Sequence, residues 1–149
     1  MISITKQYRT ETGHRLCSKD AGACANVHGH SYLWDVTVSG PVSEETGMII
    51  NFKELKKILE RCIGDYDHTL VLNWKDPILY GTPAYNCLGI LYEIEPYGRI
   101  ILMDGDPTAE NMVQEVAKNV MDRLPFGTQL QAITVWETDT SCATWERRD

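Results

Sequence analysis

The sequence predicts an α+β fold in which strands paired as hairpins carry two helices on one face. Segments near both ends of the chain have the β-branched, partly alternating composition of strands. Two segments between them repeat apolar residues at helical spacing. The chain has 149 residues with no internal repeat or linker, so residues 1–149 are predicted to form a single domain.

The first two strands are expected to pair as a hairpin. Residues 2–16 are rich in β-branched side chains, and residues 28–40 alternate between apolar and polar types. One side of the second strand carries Tyr32, Trp34, Val36 and Val38. Residues 17–27 would form the long loop between the two strands, and this loop carries Cys24.

Both predicted helices have start signals. Asn51 resembles a helix N-cap, and Glu54 three residues later completes a pair like a capping box. The apolar stripe that follows consists of Phe52, Leu55, Ile58, Leu59, Cys62 and Ile63. This helix should end near residues 65–68. The second helix is expected to begin around Pro107, a residue suited to the first helical position, and to stop at Pro125–Gly127.

The rest of the chain is predicted to add an insertion and a final pair of strands. Residues 74–106 form the insertion, and part of it is predicted to be a hairpin that turns at Pro96–Gly98. Residues 132–137 and 143–147 are predicted to be the last two strands. The long edges of such a sheet must be covered or paired, which favours self-association.

Composition excludes several classes of function. A net charge of −7 argues against nucleic acid binding, which rests on clustered Lys and Arg, but it leaves room for a small anionic substrate. No apolar run approaches the roughly 20 residues that span a bilayer, so no membrane association is expected. The five cysteines are scattered, and the N-terminus has no signal-peptide pattern, which favours reduced thiols and a cytoplasmic location.

Three of the four histidines form the clearest chemical pattern in the sequence. His28 and His30 are two residues apart on a predicted strand, so their side chains point to the same face. His14 falls near the end of the neighbouring strand and can supply a third nitrogen. Three neutral nitrogens with a fourth position open are typical of a catalytic Zn²⁺ site. The competing interpretation is that scattered histidines fill polar roles at a sheet end.

Four further residues are candidates for chemistry. Cys24 is either a fourth ligand that closes the site or a thiol near the metal that acts as a base or nucleophile. His68 follows Asp67 at a predicted helix end, where it serves either as an acid–base pair or as a partner of the helix dipole. Glu137 ends a strand, either as a solvated charge or as a carboxylate that grips a guanidine-like edge.

Taken together, these segments resemble the 6-pyruvoyl-tetrahydropterin synthase family. Within it they resemble the 6-carboxy-5,6,7,8-tetrahydropterin synthase branch of 7-deazaguanine (queuosine) biosynthesis. The matching segments are residues 13–16 (GHRL), 24–31 (CANVHGHS), 47–55 (GMIINFKEL), 67–68 (DH) with 72–73 (LN), 107–111 (PTAEN) and 136–138 (WET). The gap of three residues between Cys24 and His28 is similar to that of the 6-carboxy branch.

The resemblance implies a fold and an assembly. The fold would be the tunnelling fold (T-fold), an α+β fold with an antiparallel four-stranded sheet and two helices on one face, here with an inserted hairpin. Its subunits would form a homo-hexamer, a dimer of trimers, with active sites between subunits.

The resemblance also implies a reaction and roles for the site residues. A carbon–carbon lyase would convert 7,8-dihydroneopterin triphosphate to 6-carboxy-tetrahydropterin, with release of acetaldehyde and triphosphate. The implied metal ligands are His14, His28 and His30, which would hold Zn²⁺. The implied catalytic residues are Cys24 as the general base, with Asp67, His68 and Glu137 in a proton relay. Glu137 would also bind the pterin edge, and Thr108 would line the same pocket.

Two alternatives accompany this prediction. The first is a 6-pyruvoyl-tetrahydropterin synthase or a related pterin side-chain lyase. The second is a non-catalytic module that binds pterin or zinc. The chain also departs from the family pattern, because Thr10, Thr12 and Gly13 stand where an aromatic residue and alanines are usual.

Overall fold

The computed structural model describes residues 2–85 and 87–148. Across these residues one mixed sheet contains seven strands, in the order β4-β5-β3-β1-β2-β6-β7, and two α-helices pack on it. The strands are β1 (Ser3–His14), β2 (His28–Ser39), β3 (Thr69–Asn73), β4 (Gly89–Ile94), β5 (Gly98–Met103), β6 (Gln129–Thr138) and β7 (Ser141–Glu146). The helices are α1 (Phe52–Cys62) and α2 (Ala109–Met121).

The hairpin predicted for the first two strands is confirmed. β1 pairs antiparallel with β2 over its whole length, from Ser3 opposite Ser39 to His14 opposite His28. The loop between them holds a short 3₁₀ helix, Gly22–Ala25. Alternation in this register sends the even-numbered side chains of β2 into the core, as the sequence predicted.

The prediction of an antiparallel four-stranded sheet was wrong. The sheet has seven strands among the described residues, and β3 runs parallel to both β1 and β5. β3 was missed because its sequence, TLVLN, is a short apolar run without alternation. Such a run is typical of a strand buried on both faces, and periodicity alone does not separate it from a piece of helix. The hairpin predicted around Pro96–Gly98 is present as β4 and β5, and it joins the main sheet through β3.

Both helices begin after a residue whose side chain caps them, although only the cap of α1 was predicted from the sequence. The Asn51 side chain accepts a hydrogen bond from the Lys53 N–H at 2.8 Å, which confirms it as the N-cap of α1. α1 ends at Cys62, earlier than predicted, and a 3₁₀ turn, Gly64–Tyr66, replaces its last turn. The N-cap of α2 is Thr108, whose hydroxyl accepts from the Asn111 N–H. Pro107 therefore lies before the helix and not at its first position.

The main core lies between the helices and one face of the sheet. The apolar stripes of α1 and α2 pack against the inward side chains of the central strands, including Trp34 and Val36 on β2 and Ile133 on β6. Trp34 is fully buried, and its indole N–H donates to the Thr10 hydroxyl at 3.1 Å. Among the described residues, no helix is long and apolar enough to cross a membrane.

A second core covers the opposite face of β3 and β5. Leu72, Ile100 and Leu102 point away from the helices and pack against Leu79 and Ala84 of the segment after β3. All five side chains are buried. The first part of the predicted insertion is therefore a packed cover on the sheet.

Leu79→Ala tests whether this cover contributes to the stability of the fold. Leu79 is fully buried, so its truncation should lower the free energy of unfolding by about 2–5 kcal/mol, measured by urea denaturation. Leu88→Ala is the matched control, because Leu88 is 58% exposed and its truncation should change stability by less than about 0.5 kcal/mol. Equal, small effects of the two changes would contradict a packed second core.

Candidate metal centre

The hairpin register brings three histidine rings together at one end of the sheet. His14 lies opposite His28, and His30 lies opposite Thr12. The three rings point to the same side as the buried Tyr32, and their centroids lie 4.5–5.1 Å apart. His14 is only 1% exposed, whereas His28 and His30 are half-buried at the rim. The predicted constellation is present, with its innermost ring in the core.

Backbone carbonyls determine which nitrogen of two rings carries the proton. The Nδ1 of His14 lies 2.8 Å from the Pro107 carbonyl, and the Nδ1 of His28 lies 2.7 Å from the Asn26 carbonyl. A carbonyl only accepts, so both Nδ1 atoms must donate, and in the neutral rings both Nε2 atoms carry lone pairs. These two Nε2 atoms face each other at 3.0 Å. Two acceptors at this distance favour a cation that both can bind.

His30 points a buried nitrogen into the same space. Its buried Nε2 makes no hydrogen bond and lies 2.9 Å from the Glu137 Oε1. Potential ligand atoms of His14, His28, His30 and Glu137 all lie within 4.8 Å of one another. Ligand bonds of about 2 Å to one ion put its ligand atoms about 3–4 Å apart, and the Nε2 atoms of His14 and His28 meet that spacing at 3.0 Å. The donor set and the orphaned nitrogen therefore fit a metal ion.

The surroundings of His14 keep its ring neutral. Burial lowers the pKa of His14, the hydrogen bond to Pro107 raises it, and the neighbouring His28 lowers it again. Tyr32 lies against the same ring, with its hydroxyl 3.3 Å from the His14 Nδ1. Burial raises the pKa of Tyr32, and the carboxylate of Glu137 raises it further, so this hydroxyl stays protonated. A neutral imidazole is the form that binds metal.

Glu137 lies within the histidine group. β6 and β7 shift register between Trp136 and Thr138, and Glu137 occupies that irregularity, a feature that often re-aims a side chain beside an active site. Its carboxylate is 3.8 Å from the His14 Nε2 as well as near His30. The sequence predicted Glu137 as a pterin-binding and relay residue but did not place it among the histidines. Its spacing of two and four residues from the buried Val135 and Ile133 was the available signal.

Cys24 lies beside the histidine group but outside its set of ligand atoms. It is half-buried in the 3₁₀ helix Gly22–Ala25, and its carbonyl accepts from the Leu16 N–H at 2.9 Å. Within the described residues, the atoms that could share one ion come from the three histidines and Glu137 and do not include the Cys24 sulfur. The Cys24 thiol is near enough to Tyr32 to raise the pKa of its hydroxyl. In the single chain, therefore, Cys24 is not one of the residues whose atoms could share an ion.

Asp67 and His68 pair with each other, away from the three other histidines. The Nδ1 of His68 lies 3.0 Å from the Asp67 Oδ2, and the His68 side chain is 80% exposed. The backbone N–H of Glu11 donates to the Asp67 carboxylate at 2.8 Å, which lowers the pKa of Asp67 more than the contact with His68 does. His68 has a φ of 54°, an unusual value for a residue other than glycine. The single chain thus presents this pair to solvent.

Thr108 is placed close to the histidine group because the residue before it contacts His14. It is half-buried, and the preceding residue, Pro107, supplies the carbonyl that accepts from His14. The sequence predicted Thr108 as a pocket residue. The sequence did not predict that the carbonyls of Asn26 and Pro107 accept from the histidine rings. Every residue has a backbone carbonyl, so residue type does not identify such an acceptor.

The sequence profile of the 6-pyruvoyl tetrahydropterin synthase family matches residues 3–148. The chain belongs to this family. The resemblance predicted from the motifs is therefore confirmed, together with the predicted class, an enzyme of the tetrahydropterin synthase type.

Curated relatives carry the name of the predicted branch. A protein of Aquifex aeolicus named 6-carboxy-5,6,7,8-tetrahydropterin synthase is 29% identical over 164 aligned positions, which cover 96% of each chain. A Rickettsia felis protein of the same name is 27% identical over 128 residues, covering 85% of this chain and 86% of its own.

Solved structures share the fold. An uncharacterized protein from Wolinella succinogenes superposes with a TM-score of 0.81 at 18% identity, covering 99% of this chain and 98% of the other. The 6-pyruvoyl tetrahydropterin synthase of Caenorhabditis elegans superposes with a TM-score of 0.68 at 22% identity, covering 99% and 96%. The predicted fold family is supported at this level.

Single histidine substitutions test the metal centre. His14→Ala, His28→Ala and His30→Ala should each lower affinity for a divalent metal by more than about 100-fold, since loss of an outer-shell partner alone costs 10–100-fold. The measurement is competition with a chromophoric chelator. His68→Ala is the matched control, because this exposed ring lies outside the group and its loss should leave metal affinity unchanged. A comparable loss in the His68 variant would contradict the assignment.

Proposed function

We propose that this protein is a 6-carboxy-5,6,7,8-tetrahydropterin synthase. It would convert 7,8-dihydroneopterin triphosphate and water to 6-carboxy-tetrahydropterin, acetaldehyde and triphosphate. The observation that carries the proposal is the group of three histidines, with a thiol outside the ligand set, in a member of this family. The names of the Aquifex and Rickettsia relatives favour the 6-carboxy reaction.

The metal of this proposal is Zn²⁺, held by the Nε2 atoms of His14 and His28 and by His30. Three imidazole nitrogens suit zinc, and a remaining position would accept a substrate oxygen. Bound zinc would supply Lewis-acid polarisation of a substrate C–O group. The carbonyls of Pro107 and Asn26 support this use of the rings, because they leave the lone pair of each Nε2 for the metal.

Proton transfer would fall to side chains around this group. A proton acidified beside the polarised oxygen would pass to Cys24, whose thiol is free and half-buried. Glu137 would grip the amino-pyrimidine edge of the pterin through paired hydrogen bonds, and Thr108 would line the pocket beside it. Since the Glu137 carboxylate lies 2.9 Å from the His30 Nε2, a pterin that it holds would lie next to the metal.

The remaining relay residues would act across a subunit boundary. Asp67 and His68 form an acid–base pair that is exposed on the single chain and separate from the metal group. We therefore assign them to the site of a neighbouring copy in a homo-hexamer built as a dimer of trimers. Unpaired edges at β4 and β7 in the described sheet favour such side-by-side association.

The cellular role completes the proposal. The product would enter 7-deazaguanine synthesis, of which queuosine is one end product. All five cysteines are free thiols, which suits a reducing compartment such as the cytoplasm.

Cys24→Ala tests the chemistry. If the thiol accepts a proton and does not bind the metal, the variant should keep wild-type zinc content and lose turnover by at least about 100-fold, as general-base catalysis contributes 10²–10⁴-fold. Zinc is measured by elemental analysis and product by mass spectrometry. Cys142→Ala is the control, because Cys142 is exposed on β7 and should be silent in both assays. Loss of zinc from the Cys24 variant would make this residue a structural ligand.

The identity of the products separates the 6-carboxy reaction from its alternatives. The main alternative is the 6-pyruvoyl reaction. The matching family profile is named for 6-pyruvoyl tetrahydropterin synthase. A Dictyostelium discoideum relative that is 36% identical over 77 residues is named 6-pyruvoyl tetrahydrobiopterin synthase. Incubation with 7,8-dihydroneopterin triphosphate should yield acetaldehyde and a carboxypterin. Turnover without acetaldehyde would favour the 6-pyruvoyl reaction, and pterin binding without turnover would favour a binding module.

Mixed oligomers test the shared site. Cys24→Ala and His68→Ala subunits should each be inactive alone and should regain activity when they are unfolded together and refolded, because some sites then combine an intact Cys24 with a neighbour's intact His68. Activity is followed by acetaldehyde release. A mixture as inactive as its parents would place both residues in the same subunit's site.

A further inference from the structure

Asp106 occupies the short connection between β5 and α2 and is the centre of a dense hydrogen-bond network. Its Oδ2 accepts from the backbone N–H groups of Cys17 at 3.1 Å and Ser18 at 2.9 Å. Its Oδ1 accepts from the Cys17 thiol at 3.0 Å and from the Asn73 side-chain amide at 3.0 Å. One carboxylate thus receives four donors from two other parts of the chain.

The donors lie on the segments that flank the metal centre. Cys17 and Ser18 follow His14 by three and four residues, at the start of the loop that carries Cys24. Asn73 is the last residue of β3, and Val71 of the same strand pairs with His14 in the sheet. The Asp106 carboxylate therefore holds together the end of β1, the end of β3 and its own connection.

The backbone of Asp106 extends the same network to the ligand ring. Its carbonyl accepts from the Thr108 N–H and from the Asn111 side chain, both at 2.8 Å. The residue enclosed by this turn is Pro107, whose carbonyl accepts from the His14 Nδ1 at 2.8 Å. Between these anchors the Pro107 carbonyl faces His14, where it accepts from Nδ1 and so leaves Nε2 with a lone pair in the neutral ring.

We propose that Asp106 is a positioning residue of the metal centre, which aims the Pro107 carbonyl at His14 and so sets the ring's tautomer and orientation. Asp106 would contact neither the metal nor the substrate, and it would act through Pro107 and His14. The inference rests on the proposed function only in that the site holds a metal.

The charge state of the network agrees with this role. Burial alone would raise the pKa of Asp106, but the hydrogen bonds from Cys17, Asn73 and Ser18 outweigh it and lower the pKa to about 2. Burial, together with the same contact, raises the pKa of the Cys17 thiol to about 11. Near neutral pH, Asp106 is thus a pure acceptor and Cys17 a donor, as four converging hydrogen bonds require.

Asp106→Asn is the direct test, with Asp104→Asn as its matched control. The amide keeps the shape of the carboxylate but replaces one acceptor oxygen with an NH₂ donor. That donor would face the groups that now donate to Asp106. Zinc affinity, measured by chelator competition, should fall about 10–100-fold, the usual cost of losing an outer-shell partner. Asp104 is an exposed carboxylate two residues earlier that contacts the Trp74 indole, so its neutralisation should leave zinc affinity unchanged.

A reciprocal exchange separates positioning from loss of charge or of folding. In Asn73→Asp, a second carboxylate faces Asp106, and zinc affinity should fall. In the double variant Asn73→Asp with Asp106→Asn, the amide and the carboxylate change places. The carboxylate introduced on β3 can still accept from the Lys75 N–H, as the Asn73 side-chain oxygen does at 3.0 Å. The double variant should bind zinc more tightly than either single variant, which is the non-additivity expected of a direct pair.

The tautomer of His14 is a second measurable quantity, and measuring it requires neither zinc nor turnover. Nitrogen-detected NMR of the metal-free protein should show His14 protonated at Nδ1 in the wild type and the Asp104 variant, and mixed tautomers in the Asp106 variant. Folded Asp106→Asn with unchanged zinc affinity and an unchanged His14 tautomer would overturn the inference, as would a double variant weaker than both parents. A chain that never binds zinc would refute the proposed function while the tautomer still tests Asp106.

Discussion

The unbroken register of β1 with β2 is the constraint on which the group of three histidines depends. Their pairing runs from Ser3 opposite Ser39 to His14 opposite His28, and the same alternation buries Tyr32 and Trp34 under the helices. A slip of one residue would turn every side chain of a strand to the other face. The three histidine rings are therefore positioned by the same strand register that packs these aromatic side chains into the core, and a slip in that register would disrupt both.

The segment predicted as an insertion, residues 74–106, contacts the same end of β1. Its first residues cover the outer face of β3 and β5, and the fully buried Asp76 lies 3.1 Å from the Nε of Arg15, the residue after His14. Asp106, at the far end of the insertion, holds the loop that begins two residues after Arg15. Buried carboxylates persist only when they are paired or fully hydrogen-bonded. Both ends of residues 74–106 are thus tied to the end of β1 that carries His14.

Sequence reasoning recovered features encoded in side-chain type and spacing. The i, i+2 pair of His28 and His30 predicted a shared face, and Asn51 predicted a cap, because both depend on local geometry alone. β3 was missed because five residues in a mostly apolar run carry no period, and the sheet has seven strands instead of four among the described residues. The direction of the Glu137 side chain depends on a register shift between β6 and β7. The proposed role of Asp106 depends on hydrogen-bond partners distant in sequence. Neither feature can be predicted from the sequence of one chain.

The left-handed backbone conformation at His68 lowers the stability of the folded chain. A φ of 54° is readily adopted by glycine, whereas for a residue with a bulky side chain it costs about 1–3 kcal/mol. The N–H of His68, bonded to the Glu11 carbonyl at 2.7 Å, holds the residue in that conformation and directs the imidazole outward. In the proposed function the His68 imidazole acts in the site of a neighbouring subunit, and the strained backbone would be the stability cost of that role.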